Sequence, residues 1–233
     1  MRTNLNMDFD KQVVIDTTAI DWVDSPLPGV QRRMLEREDA ESGRATSIVR
    51  YAPGSNFSPH THTGGEEFLV LDGVFSDESG DFGPGAYIRN PVGSKHQPRS
   101  EPGCTIFVKL WQMDTADQDF VRIDTQNGVW SPGLVEGLSV MPLHQHGSES
   151  IGLVKWKPGT KFQKHSHPGG EEIMVLDGVF EDEHSRYPKD TWIRNPAGSV
   201  HTPFSTEGCT IYVKTGHLDT VSVGPNYGML ERG

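Results

Sequence analysis

Four histidines and two glutamates occupy matching places in two stretches of this chain. The first stretch is "HTHTGGEEFLVLDG", from His60 to Gly73, and the second is "HSHPGGEEIMVLDG", from His165 to Gly178. Each opens with a His-x-His pair and has a glutamate four residues later. The sets are His60, His62 and Glu66, then His165, His167 and Glu171. Another histidine follows each set at equal distance, His96 and His201. Side chains two apart on a strand share a face, so His60 and His62 point the same way. Glu66, past the Gly64-Gly65 turn, shares its face with Phe68 and Val70. Ligand-type groups opening onto an apolar face are costly to bury unpaired, and a divalent ion removes that cost. Three imidazoles and one carboxylate suit iron, manganese, cobalt, nickel, copper or zinc, and exclude calcium and magnesium. The expectation is a divalent transition metal, up to two ions per chain. Zinc or iron comes first, with manganese or nickel as further options. A lone His-x-His is a weak signal. The complete set, present twice at equal spacing, is a strong one.

The elements that position these residues are also duplicated. Shifted by 105 residues, Pro53 to Lys109 matches Pro158 to Lys214 at 32 of 57 positions without a gap. The shared phrases include "VLDGVF", "IRNP" and "GCTI", whereas "SDESGDFGPG" diverges to "EDEHSRYPKD" and reads as surface. Units of this length are domains, too long for solenoid repeats. A weaker echo lies upstream, with Trp22 and Trp130 each ahead of a Pro-Gly turn. These features predict an N-terminal domain over 1–125 and a C-terminal domain over 126–233. "DTQNG" serves as connector, and "KQVVIDTTAIDW" is an N-terminal arm whose strand could pair across domains. The 26 glycines and 16 prolines punctuate short runs such as "AYIRNP" and "CTIFVKLW", the pattern of a sandwich or barrel. "EFLVLDGVFSDE" reads as a hairpin turning at Asp72-Gly73.

The net charge of -11 argues against nucleic acid or an anionic membrane as partner. Two cysteines without CxxC spacing, no apolar leader and no long apolar run point to a cytoplasmic location.

These motifs resemble the cupin superfamily. Its first motif is matched by Gly54, His60, His62, Glu66 and Gly73, and again by Gly159, His165, His167, Glu171 and Gly178. Its second is matched by Gly85, Pro91, Gly93 and His96, with Ser100 in place of Asn. In the second half Pro196, Gly198 and His201 match it, with Asp190 in place of Gly and Ser205 in place of Asn. The resemblance implies an all-β bicupin, two tandem double-stranded β-helix (jelly-roll) barrels. It also implies two ligand sets: His60, His62, Glu66 and His96, then His165, His167, Glu171 and His201. The "GGEE", "VLDGVF" and "IRNP" phrases with the downstream cysteine are most similar to the ChrR-like cupins. That group includes the C-terminal cupin of a zinc-dependent anti-sigma factor and, more loosely, a diketone-cleaving iron dioxygenase. No N-terminal helical zinc domain is recognisable, so a sigma factor is not the expected partner.

Two functions remain open from sequence. One is a metal-dependent enzyme, such as an oxygenase, acting on a small organic acid or diketone, with Glu66 or Glu171 available as general base. The other is a non-catalytic ChrR-like sensor or binding protein with structural zinc. Expected neighbours of the metal are Phe57 and Phe162, Phe68 and Ile173, Ile88 and Ile193, and Gln97 or Thr202 beside the last histidine. Arg99 is a candidate for a substrate carboxylate. Cys104 and Cys209 read first as small buried residues and second as thiols near the metal. His144 and His146 lack a partner set and read as a polar strand end. Outward Leu69, Leu71, Met174 and Leu176 could support sheet packing or a homodimer.

Overall fold

The computed structural model describes residues 4–39 and 41–218. Regular structure in them is strand throughout, apart from one 3-10 turn at Thr17–Ala19. No helix among the described residues is long and apolar enough to cross a membrane.

Contacts divide the chain into two units. The first holds residues 4–7 and Ile20–Gly128, and the second holds Asp8–Ala19 and residues 129–218. The N-terminal arm, which sequence assigns to 1–125, therefore groups with the second unit over Asp8–Ala19. In the first unit the large antiparallel sheet runs Val121–Asp124, Ala86–Asn90, Glu66–Gly73, Cys104–Leu110, Ala45–Tyr51, Val30–Arg37, Val23–Asp24. Short strands Ser55–Asn56, Arg99–Ser100, Phe75–Asp77 and Gly80–Phe82 make a second sheet, and His60–Thr61 pairs with Lys95–His96. The large sheet of the second unit runs Val13–Asp16, Thr191–Asn195, Glu171–Glu181, Cys209–Thr215, Glu149–Trp156, Leu138–His146, Ser131–Pro132. Each unit is a jelly roll.

Strand alternation builds the two cores. Phe68, Val70, Ile88, Ile106 and Val108 pack with Phe75 in the first unit. Ile173, Val175, Ile193 and Ile211 pack with Phe180 in the second. Leu69 and Met174, on the opposite face, are also buried, whereas Leu71 and Leu176 are half-buried.

The Asp72-Gly73 hairpin is not formed. Phe75–Asp77 pairs with Gly80–Phe82 and Arg99–Ser100 rather than with Glu66–Gly73. In the second unit a single strand, Glu171–Glu181, runs straight through Asp177-Gly178. The ladder instead slips by one residue, at Thr105/Ile106 and at Val175/Asp177. Such a bulge bends the strand and carries it out of the large sheet into the small one. Glycine is required at the bend. Gly73 has φ 71°, and a Cβ there would lie 2.1 Å from the Gly103 carbonyl oxygen. Gly178 has φ 70° and the same 2.1 Å approach to the Gly208 oxygen.

The arm strand Val13–Asp16 pairs with Thr191–Asn195 just as Val121–Asp124 pairs with Ala86–Asn90. The hydroxyl of Thr17 donates to the Asp190 carbonyl at 2.8 Å, and that of Thr125 to the Gly85 carbonyl at 2.6 Å. "VVIDTTAIDW" and "VRIDTQNGVW" are thus two copies of one edge strand. The first copy sits at the chain's start yet completes the second unit. Asp190, at the expected glycine, takes the left-handed conformation with φ 68°, as Gly85 does with φ 85°.

Candidate metal centres

Short strand pairs bring the ligand-type residues together. Glu66 and Glu171 begin the long strands of their units, and Asn90 and Asn195 lie directly across from them on the neighbouring strands. His60 stands opposite His96 in a short antiparallel pair, and His165 opposite His201 in another. One ring nitrogen from each of His60, His62 and His96 lies within 4.8 Å of the others, and likewise for His165, His167 and His201. His62 Nε2 is 2.9 Å from His96 Nε2 and 3.3 Å from Glu66 Oε2, and His96 Nε2 is 3.7 Å from the same oxygen. In the second unit His167 Nε2 is 3.0 Å from His201 Nε2 and 3.4 Å from Glu171 Oε1, and His201 Nε2 is 3.7 Å from Glu171 Oε2.

These contacts fit a metal on chemical grounds. His60 Nδ1 faces the Ser58 carbonyl at 3.2 Å, and His96 Nδ1 faces Asp77 Oδ2 at 3.2 Å. Both partners only accept, so Nδ1 carries the proton in each neutral ring. Nε2 then presents a lone pair toward the cluster, where lone pairs of neighbouring rings and a carboxylate converge. A cation among them resolves the repulsion. Ligands at right angles on bonds of about 2.1 Å lie about 3 Å apart, close to the spacings seen. Burial, together with the neighbouring imidazoles, pushes His62 and His167 below the ordinary imidazole pKa, though the adjacent glutamates oppose this. At His96 and His201 burial also opposes charge. There the nearby carboxylates outweigh it and raise the pKa: Asp77, hydrogen-bonded to His96, and Asp182, 3.8 Å from His201, each with the adjacent glutamates.

Supporting groups stand behind the ligand-type atoms, an arrangement that fixes ring orientation and metal affinity. Asn90 Nδ2 donates to Glu66 Oε2 at 2.9 Å, and Asn195 does the same for Glu171 at 2.9 Å. Asn90 Oδ1 accepts from Arg122 at 2.6 Å, whereas Asn195 Oδ1 accepts from Gln12 at 2.8 Å, beside the arm strand. Asp77 and Asp182 were missed by sequence reasoning because they lie in the stretch read as divergent surface. The signal was present, since Phe-x-Asp-Glu survives in both halves. Asn90 and Asn195 stood in the shared "IRNP" phrase without an assigned role.

Other candidates lie elsewhere. Arg99 is exposed, and its guanidinium reaches the Asp77 carbonyl at 3.1 Å and Asp81 at 3.7 Å. Gln97 donates to Asn56 at 3.0 Å, and the Thr202 amide donates to Glu183 at 2.7 Å. Cys104 and Cys209 are buried in the cores. Cys104 pairs with Gly73 while Leu110, six residues on, pairs with Glu66. At about 3.3 Å per residue the thiol is roughly 20 Å along the strand from the ligand-type end. Burial pushes both thiols up to about 11. Ser100 and Ser205 each donate to a backbone carbonyl, of Val74 and Val179, at 2.6 Å. His144 and His146 end the Leu138–His146 strand.

A cavity of about 440 Å³ opens on the first cluster. Val49, Tyr51, Phe57, Ile106, Val108 and Trp111 are among its apolar lining residues, and His60, His62 and Glu66 line it too. That volume lies within the usual range for small-molecule pockets.

Two consecutive segments of the chain, 10–114 and 118–219, match the profile of the ChrR cupin-like domain. No curated protein matches the chain by sequence. Among solved structures, a candidate dioxygenase from Nostoc punctiforme superposes with TM-score 0.75 at 18% identity, over 94% of this chain and 87% of that one. The Ylba protein of E. coli gives TM-score 0.70 at 14% identity, over 95% and 97%. The oxalate decarboxylase of Lactobacillus farciminis gives 0.61 at 12% identity, over 88% and 86%. At these identities the likeness concerns the fold.

Proposed function

The chain belongs to the ChrR cupin-like family, and on that premise we propose that it is a metal-dependent enzyme of oxygenase type acting on a small organic acid or diketone. One observation carries this reading: imidazole nitrogens and a carboxylate converge beside an open, mostly apolar cavity. In it the ligands are His60, His62, Glu66 and His96 in the first unit, and His165, His167, Glu171 and His201 in the second. A divalent transition metal held there supplies Lewis acidity or a redox centre. The protein's own part is positioning. Ser58 and Asp77 orient two imidazoles, Asn90 holds Glu66, and the apolar walls exclude water from the bound substrate. The candidate dioxygenase and the oxalate decarboxylase, which share the fold, make this chemistry a reasonable starting point.

The second reading, a sensor with structural zinc, is favoured by the family match itself. One experiment separates the two. The chain is purified without added metal or chelator, its metals are counted, and oxygen uptake is followed with 2,4-pentanedione and with small carboxylic acids. Iron or manganese in both sites, with substrate-dependent uptake, is the expected result. Two zinc ions per chain, and neither oxygen uptake nor substrate loss, would replace the enzyme reading with the sensing one.

A further inference from the structure

The strand Val30–Arg37 places two arginines on the inner face of the first unit. Arg32 lies in one cross-strand row with Val49, Ile106 and Val70, all three members of the core. Arg37 lies in the row Ala45, Leu110 and Glu66, and so ends the row that begins with a ligand-type carboxylate. Cross-strand neighbours in one row share a face. Both arginines line the same cavity as His60, His62 and Glu66, with side chains only 10% and 6% exposed.

A carboxylate already sits between them. Glu41 receives Arg32 in a two-point contact, Nη1 to Oε2 at 3.2 Å and Nη2 to Oε1 at 3.0 Å. Arg37 Nη2 lies 4.0 Å from Glu41 Oε2. Glu41 is half-exposed and also lines the cavity. A guanidinium pair in this setting is matched to the planar carboxylate group. Burial and then the proximity of Arg32 lower the Arg37 pKa, while Glu41 and Asp39 oppose the shift.

The second unit is built differently at the same register. Val140 stands in the row with Val154, Ile211 and Val175. Gln145 stands in the row with Ser150, Thr215 and Glu171. The metal-ligand sets are the same, but the two cations of the first unit are replaced by uncharged side chains.

We infer that the first unit takes a small substrate by its carboxylate, which displaces Glu41 from Arg32 and Arg37, and that the second unit takes no anionic substrate. This deepens the proposed function and rests on it for the role of the metal end of the cavity. The apolar walls receive the body of the acid.

The test is calorimetric titration of the full chain, carrying its native metal, with 4-methyl-2-oxopentanoate and with the uncharged 4-methyl-2-oxopentanamide. One acid per chain is expected to bind, at least tenfold more tightly than the amide. Arg32→Gln and Arg37→Gln should each weaken the acid tenfold or more without loss of metal. Glu41→Gln should strengthen it several-fold by releasing the fork. Arg99→Gln should leave it unchanged. No binding of the acid, equal binding of acid and amide, or two equivalent acids per chain overturns the inference. Should Arg32→Gln fail to fold, Glu41→Gln decides, because unchanged or weaker binding excludes displacement. Metal counts on the same samples keep the two readings apart. An arginine-dependent acid site in a chain that holds no metal would retain this inference and remove the metal-enzyme reading. Fully metalled protein that ignores the carboxylate would do the reverse.

Discussion

The two units hold the same four ligand-type residues and surround them differently. Distances within the clusters agree to about a tenth of an ångström, 2.9 against 3.0 Å and 3.3 against 3.4 Å. Behind and around them the halves part. Asp77 lies 3.2 Å from His96, but Asp182 lies 3.8 Å from His201 and also accepts from the Tyr187 hydroxyl and the His184 and Ser185 amides. Arginines in one inner wall give way to valine and glutamine in the other. On the proposed reading, holding an ion and selecting what meets it are separable tasks of this fold. The short strands would do the first, and the wall carrying Arg32 and Arg37 the second.

Where the halves agree, paired substitutions should have equal effects, and where they differ the effects should be unequal. The largest effect belongs to the ligands. His60→Ala and His165→Ala should each remove one metal ion per chain, as counted by elemental analysis. Full metal retention in either variant would break the symmetry and the assignment of that histidine. Next come the glycines at the bend. Gly73→Ala and Gly178→Ala should each destabilise by about 3 kcal/mol or more, from left-handed backbone plus a Cβ clash. Gly54→Ala also has positive φ, 76°, but meets nothing within 4 Å, and should cost only about 1 kcal/mol. Thermal melts of the three variants make the comparison.

The supporting aspartates should be unequal. Asp77→Asn should weaken metal binding at the first site by about 10–100-fold, measured by competition with a chelator, and Asp182→Asn should weaken the second site less. Equal losses would show that Asp182 holds His201 more firmly than its distance implies. The smallest effect is expected at the thiols. With pKa near 11, Cys104 and Cys209 hold little thiolate near pH 8, and thiolate is the reactive form. Both should resist iodoacetamide in the native protein and react fully in denaturant, and Cys104→Ser should leave the metal count unchanged. Rapid native labelling would place a thiol near an opening that the fold does not show.

Much of this was legible in the sequence because a duplicated chain carries its own comparison. Positions equal in both halves, such as the His-x-His pairs and the strand alternation of "EEFLVLDG", report on packing and ligand geometry that both units need. Asp72-Gly73 misled because its composition suits a tight turn. The same glycine serves a bend when a neighbouring strand approaches closely, and only the register reveals that. Arg32 and Arg37 were invisible for the opposite reason. They lie upstream of the strong repeat, in a segment where the halves are hardly alike. Their inward direction follows from pairing with strands many residues away. Arg99 looked attractive by its nearness to His96 in sequence, but neighbours on a strand alternate in direction, and its side chain goes to Asp77 and Asp81.

The arm strand that completes the second jelly roll has a consequence for how the molecule is made. Its contacts join residues 183 apart, as between Gln12 and Asn195. During synthesis, the arm emerges before its partner and waits until Thr191–Asn195 has been translated. The first unit's sheet, complete by Asp124, can assemble while the ribosome is still at work. Long-range pairing of this kind is slow to form. Until it forms, the strand Thr191–Asn195 presents an open edge for other chains to join. A fragment starting at residue 126 would keep that edge open permanently, and linking the arm's sequence to its C-terminal end is the natural remedy.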